Sequence, residues 1–214
     1  MRPPLPRLHA ITDERIARRT DLGDIARELA AGGGADLAFH ARGHNLTGLE
    51  HYELAVRLRP PGSPLGSVCP TVRLFVNDRL DIALAVGADG VQLTPGSLSP
   101  EEARRLSARW WIGKSVHDLA EAEAAQAGGA DYLLAGPVFP TATHPDRPPL
   151  GLGPLRDIVA LGLPVIAIGG VTARNCGDVR DAGAHGAAAI RALWDATEPA
   201  VAARQMLEVL WKSS

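Results

Sequence analysis

Eight short apolar runs recur along the chain: LHAIT at 8–12, DLAFHA at 36–41, VRLFVN at 72–77, GVQL at 90–93, WWIGKS at 110–115, DYLLAG at 131–136, PVIAIGG at 164–170 and GAAAI at 186–190. Each is too short for a helix and is bounded by glycine, proline or a charge, as strands buried on both faces of a parallel sheet read. Between them, Ala/Leu-rich amphipathic stretches predict helices at 22–31, 80–86, 100–109, 118–127 and 176–182. The segment Ser99-Pro100-Glu101-Glu102 begins one of them with a capping hydroxyl, a proline at the first helical position and acids in the first turn.

A repeat supports the alternation. Gly34-Ala35-Asp36, Gly87-Ala88-Asp89, Gly129-Ala130-Asp131 and Gly183-Ala184-His185 each end a helical pattern and precede a strand, at spacings of 53, 42 and 54 residues. Each interval holds about two βα units, and glycine just past a helix end is the expected joint. Eight strands alternating with helices predict an α/β fold, a (β/α)₈ TIM barrel, as one domain over 1–214 with its core at about 8–210. An open doubly wound sheet is the alternative. It usually has fewer strands, and no G-x-G-x-x-G follows the first strand here. A barrel carries its chemistry on the loops after the strand C-termini.

Charge changes the picture by exclusion. Lys and Arg number 22 against 24 Asp and Glu, a formal net charge of −2, so no basic excess points to nucleic acid or an anionic membrane surface. Anionic small ligands remain compatible, since a few cations and backbone N–H groups suffice for phosphate. Cys69 and Cys176 have no metal-type spacing and form no disulfide framework, which suits a reducing compartment. No apolar leader and no membrane-length apolar run is read in the sequence, so a cytoplasmic location is expected.

Candidate chemistry concentrates at the strand ends. IAIGGV at 166–171 leads from a strand through Gly169-Gly170 into a helix, which either cradles phosphate on bare N–H groups or makes a tight turn. The small residues of GAAAI leave room beside it. Asn77-Asp78 ends the third strand and reads as ligand contact, as a helix cap, or as both. Ser115 and Arg42 end strands where a hydroxyl or a guanidinium can meet an anion. His40 alternates within a strand and either lines the barrel or packs on a helix, while His44, His117 and His144 fall in βα loops. No His, Cys or carboxylate pattern argues for a transition metal.

Taken in order, LHAITD, VNDRLDIALAVGADGVQL, IGKSVH, GADYLLAGPVFPTATH, LPVIAIGGVTARN and GAHGAAAI resemble the thiamin phosphate synthase/TenI family over about 8–210. That resemblance implies a (β/α)₈ barrel in thiamin biosynthesis. The family's synthases join an aminopyrimidine pyrophosphate to a thiazole phosphate with loss of pyrophosphate, assisted by Mg²⁺. Its TenI-type members bind a thiazole carboxylate phosphate, and some aromatise it by moving a proton. It further implies pyrophosphate and metal on a Q-x-R-x-K element after the second strand, on Asn-Asp, on Asp, on Ser and on T-x-T-K. The thiazole phosphate is implied on the Gly-Gly turn and the end of the eighth strand.

Here Asn77, Asp78, Ser115, Thr141, Thr143, Gly169 and Gly170 match that pattern, Arg42 takes the motif arginine, and Ile190 and Arg191 end the eighth strand. His44 and His144 stand where the pattern has lysines, Ser97 replaces a metal-binding aspartate, and Gln92-Leu93-Thr94-Pro95 replaces H-L-G-Q. Arg191 replaces a small hydroxyl residue, and Pro137 stands where some tautomerases carry a histidine base. Histidine is mostly neutral at pH 7, so the pyrophosphate side loses fixed charge while the phosphate turn stays whole. The expectation is therefore a TenI-like thiazole tautomerase or binder with His144, His44 or His117 as general base. Mg²⁺ would use Asp78 alone among the protein carboxylates. The alternatives are a true synthase and a non-catalytic ligand-binding homologue. A phosphorylated thiazole is the expected partner, with the pyrimidine pyrophosphate for a synthase, and a homo-oligomer is compatible with the sequence.

Overall fold

Each apolar run becomes a strand: β1 (Leu8–Ile11), β2 (Leu37–Ala41), β3 (Val72–Asn77), β4 (Gly90–Leu93), β5 (Trp111–Val116), β6 (Tyr132–Ala135), β7 (Val165–Ile168) and β8 (Gly186–Ala189). The structure is a computed structural model describing residues 2–59, 72–141 and 148–212. All neighbouring strands are parallel, and β8 pairs back with β1 through Leu8↔Ala187, His9↔Ala188 and Ala10↔Ala189. The sheet is thus a closed barrel in sequence order, and the open-sheet alternative is excluded.

Helices α1 (Glu14–Ala17), α2 (Leu22–Gly33), α3 (Gly48–Arg57), α4 (Leu80–Val86), α5 (Pro100–Leu106), α6 (Leu119–Ala127), α7 (Leu152–Val159), α8 (Cys176–Asp181), α9 (Arg191–Trp194) and α10 (Pro199–Trp211) follow or flank the strands. Helix α5 begins as expected: Ser99 Oγ accepts from Glu102 N–H while Glu102 returns to Ser99 N–H, a reciprocal capping box. It ends at Leu106 rather than 109, because Ser107 turns to extended backbone at φ −155°. The same box, Thr47 with Glu50, starts α3, which the hydrophobic pattern alone does not reveal.

The Gly-Ala-Asp repeat acquires a physical meaning. Gly34, Gly87, Gly129 and Gly183 all take positive φ, the conformation in which a side chain is costly. Two of the aspartates then cap the start of the preceding strand in the barrel: Asp89 Oδ2 accepts from Leu74 N–H at 2.9 Å, and Asp131 Oδ2 from Ile112 N–H at 2.8 Å. Asp131 also pairs with Arg2 and Arg104, each at 2.5 Å. Burial pushes its carboxyl up, but these donors outweigh burial and leave it below its ordinary 3.8.

Alternation along the strands separates two cores. Leu8, Ala10, Leu37, Phe39 and Ala41 pack outward against the helices, whereas Ile11, Ala38, Phe75, Tyr132 and Ile166 fill the barrel. The fully buried His9 and His40 join the inner set, with ring centroids 5.0 Å apart and His40 stacked on Phe75 at 4.9 Å. The seam is tight: a Cβ on Gly186 would lie 2.0 Å from the Arg7 carbonyl oxygen.

Two outcomes follow. Gly186→Ala forces backbone apart at the β1–β8 closure and lowers stability by about 1–3 kcal/mol, read as a drop in the urea midpoint. Asp131→Ala leaves a strand N–H and two guanidinium groups without their partner, at a cost of roughly 1–3 kcal/mol at pH 7. Because the folded carboxyl titrates below the unfolded one, that stabilisation is present above its unfolded value. It fades as pH falls through its folded value, so wild type and variant converge in urea titrations toward pH 2.

Candidate active site

At the C-terminal end of the barrel lies a cavity of about 570 Å³, within the range of small-ligand sites. Arg42, His44, Asn77, Ser115, His117, Thr141, Gly169, Gly170, Ile190 and Arg191 all line it, contributed by loops spaced more than 140 residues apart in sequence. Thr143 and His144 lie outside the described residues. Ala188 and Ala189 of β8 form part of the wall, so the small-residue strand does leave space beside the glycine pair.

The glycine turn is shaped by contact. Gly169 and Gly170 have φ of +95° and +66°, and a Cβ on them would lie 2.4 Å from Pro137 Cβ and 2.6 Å from the Pro140 carbonyl oxygen. The loop after β6 therefore rests on the turn, with Val138 N–H donating to Ile168 O at 2.8 Å and Phe139 N–H to Gly169 O at 3.0 Å. Asn175 holds the far side, its amide donating to Gly170 O at 3.0 Å while Oδ1 accepts from Thr172 N–H at 2.7 Å. Pro137 packs against Gly169 with no room for a side chain between them.

Across the cavity, Thr12 at the end of β1 fixes the Arg42 backbone: its hydroxyl accepts from Arg42 N–H at 2.9 Å and donates to Arg42 O at 2.8 Å. Arg42 reaches His44 Nε2, and Glu14 accepts from the N–H groups of His44 and Asn45. Burial pushes the Glu14 carboxyl up, yet its backbone hydrogen bonds, including those from Asn45 and His44, leave it lowered overall, so it stays ionised beside the arginine. Gln92 Nε2 donates to Ser115 Oγ at 3.0 Å, which leaves the serine O–H to donate elsewhere. His117 Nδ1 meets Glu121 Oε2 at 2.8 Å, so the ring is a neutral Nε2 base or an imidazolium, and in either form the carboxylate orients it.

Asp78 sits just behind this wall at φ +59°, a left-handed conformation that aspartate tolerates better than most residues. Its Oδ1 accepts from Thr94 N–H at 2.9 Å, Thr94 Oγ1 at 3.0 Å and Ser97 Oγ. Ser97 thus stands beside Asp78, where a second carboxylate would complete a metal pair. Among the described residues no three His, Cys, Asp or Glu side chains cluster as a metal site. One carboxylate and a hydroxyl suit Mg²⁺ only where substrate phosphate supplies most ligands, which is the usual manner for that ion. Lys114 on β5 braces the loop, its ammonium donating to Thr94 O at 2.7 Å. Burial lowers its pKa, with Asp78 and Glu121 acting the other way.

The thiamine monophosphate synthase family model matches residues 8–193. The chain belongs to that family. Among relatives, the thiamine-phosphate synthase of Methanoculleus marisnigri is 42% identical over 93% of this chain and 92% of its own length. That of Pyrococcus furiosus is 38% identical over 95% and 94%. The solved thiamine phosphate pyrophosphorylase from Pyrococcus furiosus superposes with a TM-score of 0.79 at 36% identity, covering 95% of both chains. A 3-hexulose-6-phosphate synthase structure, at 19% identity and a TM-score of 0.67, shares the fold alone.

Membership alone does not separate a synthase from a TenI-like protein, but the named relatives are synthases and favour the reading held as the alternative. No helix among the described residues is long and apolar enough to cross a membrane. Thr12, Glu14, Lys114 and Glu121 lie behind the cavity lining and hold it by hydrogen bonds, and candidate selection by residue type does not reach them. Only the Glu121 spacing, four after His117 across a helix start, carried a usable signal. Lys114→Met is expected to loosen the Thr94–Ser97 turn and lower kcat/KM about tenfold while Lys114→Arg retains most activity, measured by steady-state kinetics on folded protein.

Proposed function

We propose that this chain is a thiamine-phosphate synthase, coupling hydroxymethylpyrimidine pyrophosphate to thiazole phosphate with release of pyrophosphate. The observation that carries the reading is the two-sided cavity: a glycine turn with Arg191 and the neighbouring Thr141 at the ends of β6–β8, and Arg42 and Ser115 with nearby Asp78 at the ends of β2–β5. A proton shift within one phosphorylated thiazole needs only the first wall. Joining two phosphorylated substrates needs both.

In this reading Gly169, Gly170, Ile190 and Arg191 seat the thiazole phosphate and aim the ring nitrogen across the cavity. Arg42, Ser115 and Thr141 take pyrophosphate oxygens. The thiazole nitrogen lone pair forms the new C–N bond to the pyrimidine methylene carbon, and the C–O bond breaks with its electron pair leaving on pyrophosphate. Fixed donors aimed at that developing charge are the main catalytic contribution the protein can make. Asp78 and Ser97 would hold Mg²⁺, which when bound neutralises phosphate charge. His44 would strengthen this wall only when protonated.

A second reading rests on His117, whose ring is oriented by Glu121 and lines the cavity: proton transfer on a thiazole carboxylate phosphate. Incubation with both synthase substrates and Mg²⁺, followed by chromatography for thiamin phosphate, separates the two. Synthase turnover is expected, reduced about 10²–10³-fold in Arg42→Ala and within a few-fold of wild type in His117→Ala. Aromatisation of the thiazole carboxylate phosphate without any thiamin phosphate, and abolished by His117→Ala, would reverse the assignment.

A further inference from the structure

Gln92 on β4 and Tyr132 on β6 are both fully buried, and Gln92 Oε1 and the Tyr132 hydroxyl have no hydrogen-bond partner among the described residues. They face each other across one glycine. The strand register places Gln92 beside Gly113 and Gly113 beside Tyr132, so the three stand in one row across β4, β5 and β6. A Cβ on Gly113 would lie 2.4 Å from Gln92 Oε1 and 2.5 Å from the Tyr132 hydroxyl oxygen. Glycine at the centre of the row thus leaves the two oxygens bordering a single gap, too tight for a methyl group.

The two atoms are chemically complementary. Burial, reinforced by the Asp131 charge, pushes the phenol well above its ordinary pKa, so the hydroxyl keeps its proton. A buried O–H without an acceptor and a buried amide oxygen without a donor each cost about 1–3 kcal/mol. The phenol O–H turns freely about its C–O bond, and a small swing of the Gln92 side chain brings Oε1 onto it. The other end of the same amide is already committed, with Nε2 donating to Ser115 Oγ at 3.0 Å. Exchanging the two ends of the amide would offer Nε2 to the tyrosine oxygen and make Ser115 the donor to Oε1. That arrangement buries the serine proton inside the barrel and still leaves the phenol proton without an acceptor. The tyrosine proton therefore sets the direction of the whole line.

We propose that Tyr132 is a positioning residue for ligand binding: its hydroxyl donates to Gln92 Oε1 across Gly113, which holds Nε2 on Ser115 and turns the serine O–H toward an anionic oxygen in the cavity. Ser115 lines the cavity, whereas Tyr132 reaches the ligand only through Gln92 and Ser115. The effect on turnover rests on the reading that Ser115 takes a pyrophosphate oxygen; the hydrogen-bond line itself does not.

The chain has two tyrosines, and the other, Tyr52, is exposed on α3. In Tyr52→Phe the tyrosine Raman doublet therefore reports Tyr132 alone. The ratio of its upper to its lower band is low for a phenol that donates and high for one without a partner. A low ratio is expected, rising in Tyr52→Phe/Gln92→Met. A high ratio at the outset, or a low one that survives the loss of Gln92, overturns the proposal. Calorimetric titration with inorganic pyrophosphate reads the consequence. Ser115→Ala is expected to weaken binding about tenfold and Tyr132→Phe about three- to tenfold, with no further loss when the two are combined. Additive losses mark a packing effect of the ring and refute the positioning role. Thiamin phosphate formation by the wild type is the separate check on the synthase reading: its absence removes that reading, while the Raman ratio still decides the line.

Discussion

Barrel closure is the constraint from which the rest of the structure descends. Once β8 pairs with β1, every second residue of each strand points into an interior too narrow for water-filled space, so an inward polar group without a partner there is costly. The inner layer accordingly mixes aliphatic bulk with a short polar line of His9, His40 and Asn77. Glycines at 90, 113 and 186 allow neighbouring backbone or ring atoms to approach where a Cβ would collide. The cavity is what remains above this filled floor.

The walls of that cavity are fixed by contacts that lie behind them. The glycine turn is held from both sides, by the loop after β6 and by Asn175, so its geometry depends on packing more than on any one contact. On the opposite wall, His44 lies against Arg42, while Lys114 and Arg191 add cations elsewhere. Lys114 does not face the ligand; it ties down the turn that holds Asp78. Ser97 keeps a hydrogen bond to Asp78 where a carboxylate would repel it in the absence of a cation.

Much of the barrel was legible because parallel strands buried on both faces leave continuous apolar runs, and all eight runs were strands. The helices were read less evenly. Helix α3 has exposed Leu49, Tyr52 and Val56, so its apolar residues do not trace a single inward stripe, and its capping box was the better signal. Helix α7 follows a proline-rich loop that masks its start. Among residues lining the cavity, Arg42, Asn77, Ser115, Thr141, Gly169 and Gly170 could be singled out from residue type and strand-end position. Thr12, Glu14 and Gln92 were not, since a hydroxyl, a carboxylate or an amide that serves a neighbour across the barrel has no local signature.

By itself, the sequence determined the fold and the end of the barrel where the cavity lies, because both depend on period, punctuation and loop order along the chain. Only the tertiary structure decided which atoms meet. His40 could be read from the chain as lining or packing; in the barrel it lies between His9 and Asn77. Ser97 could be read as a lost aspartate; in the barrel it is a partner of Asp78. Hydrogen bonds act over about 3 Å, a distance set across strands by closure and register rather than by separation in sequence.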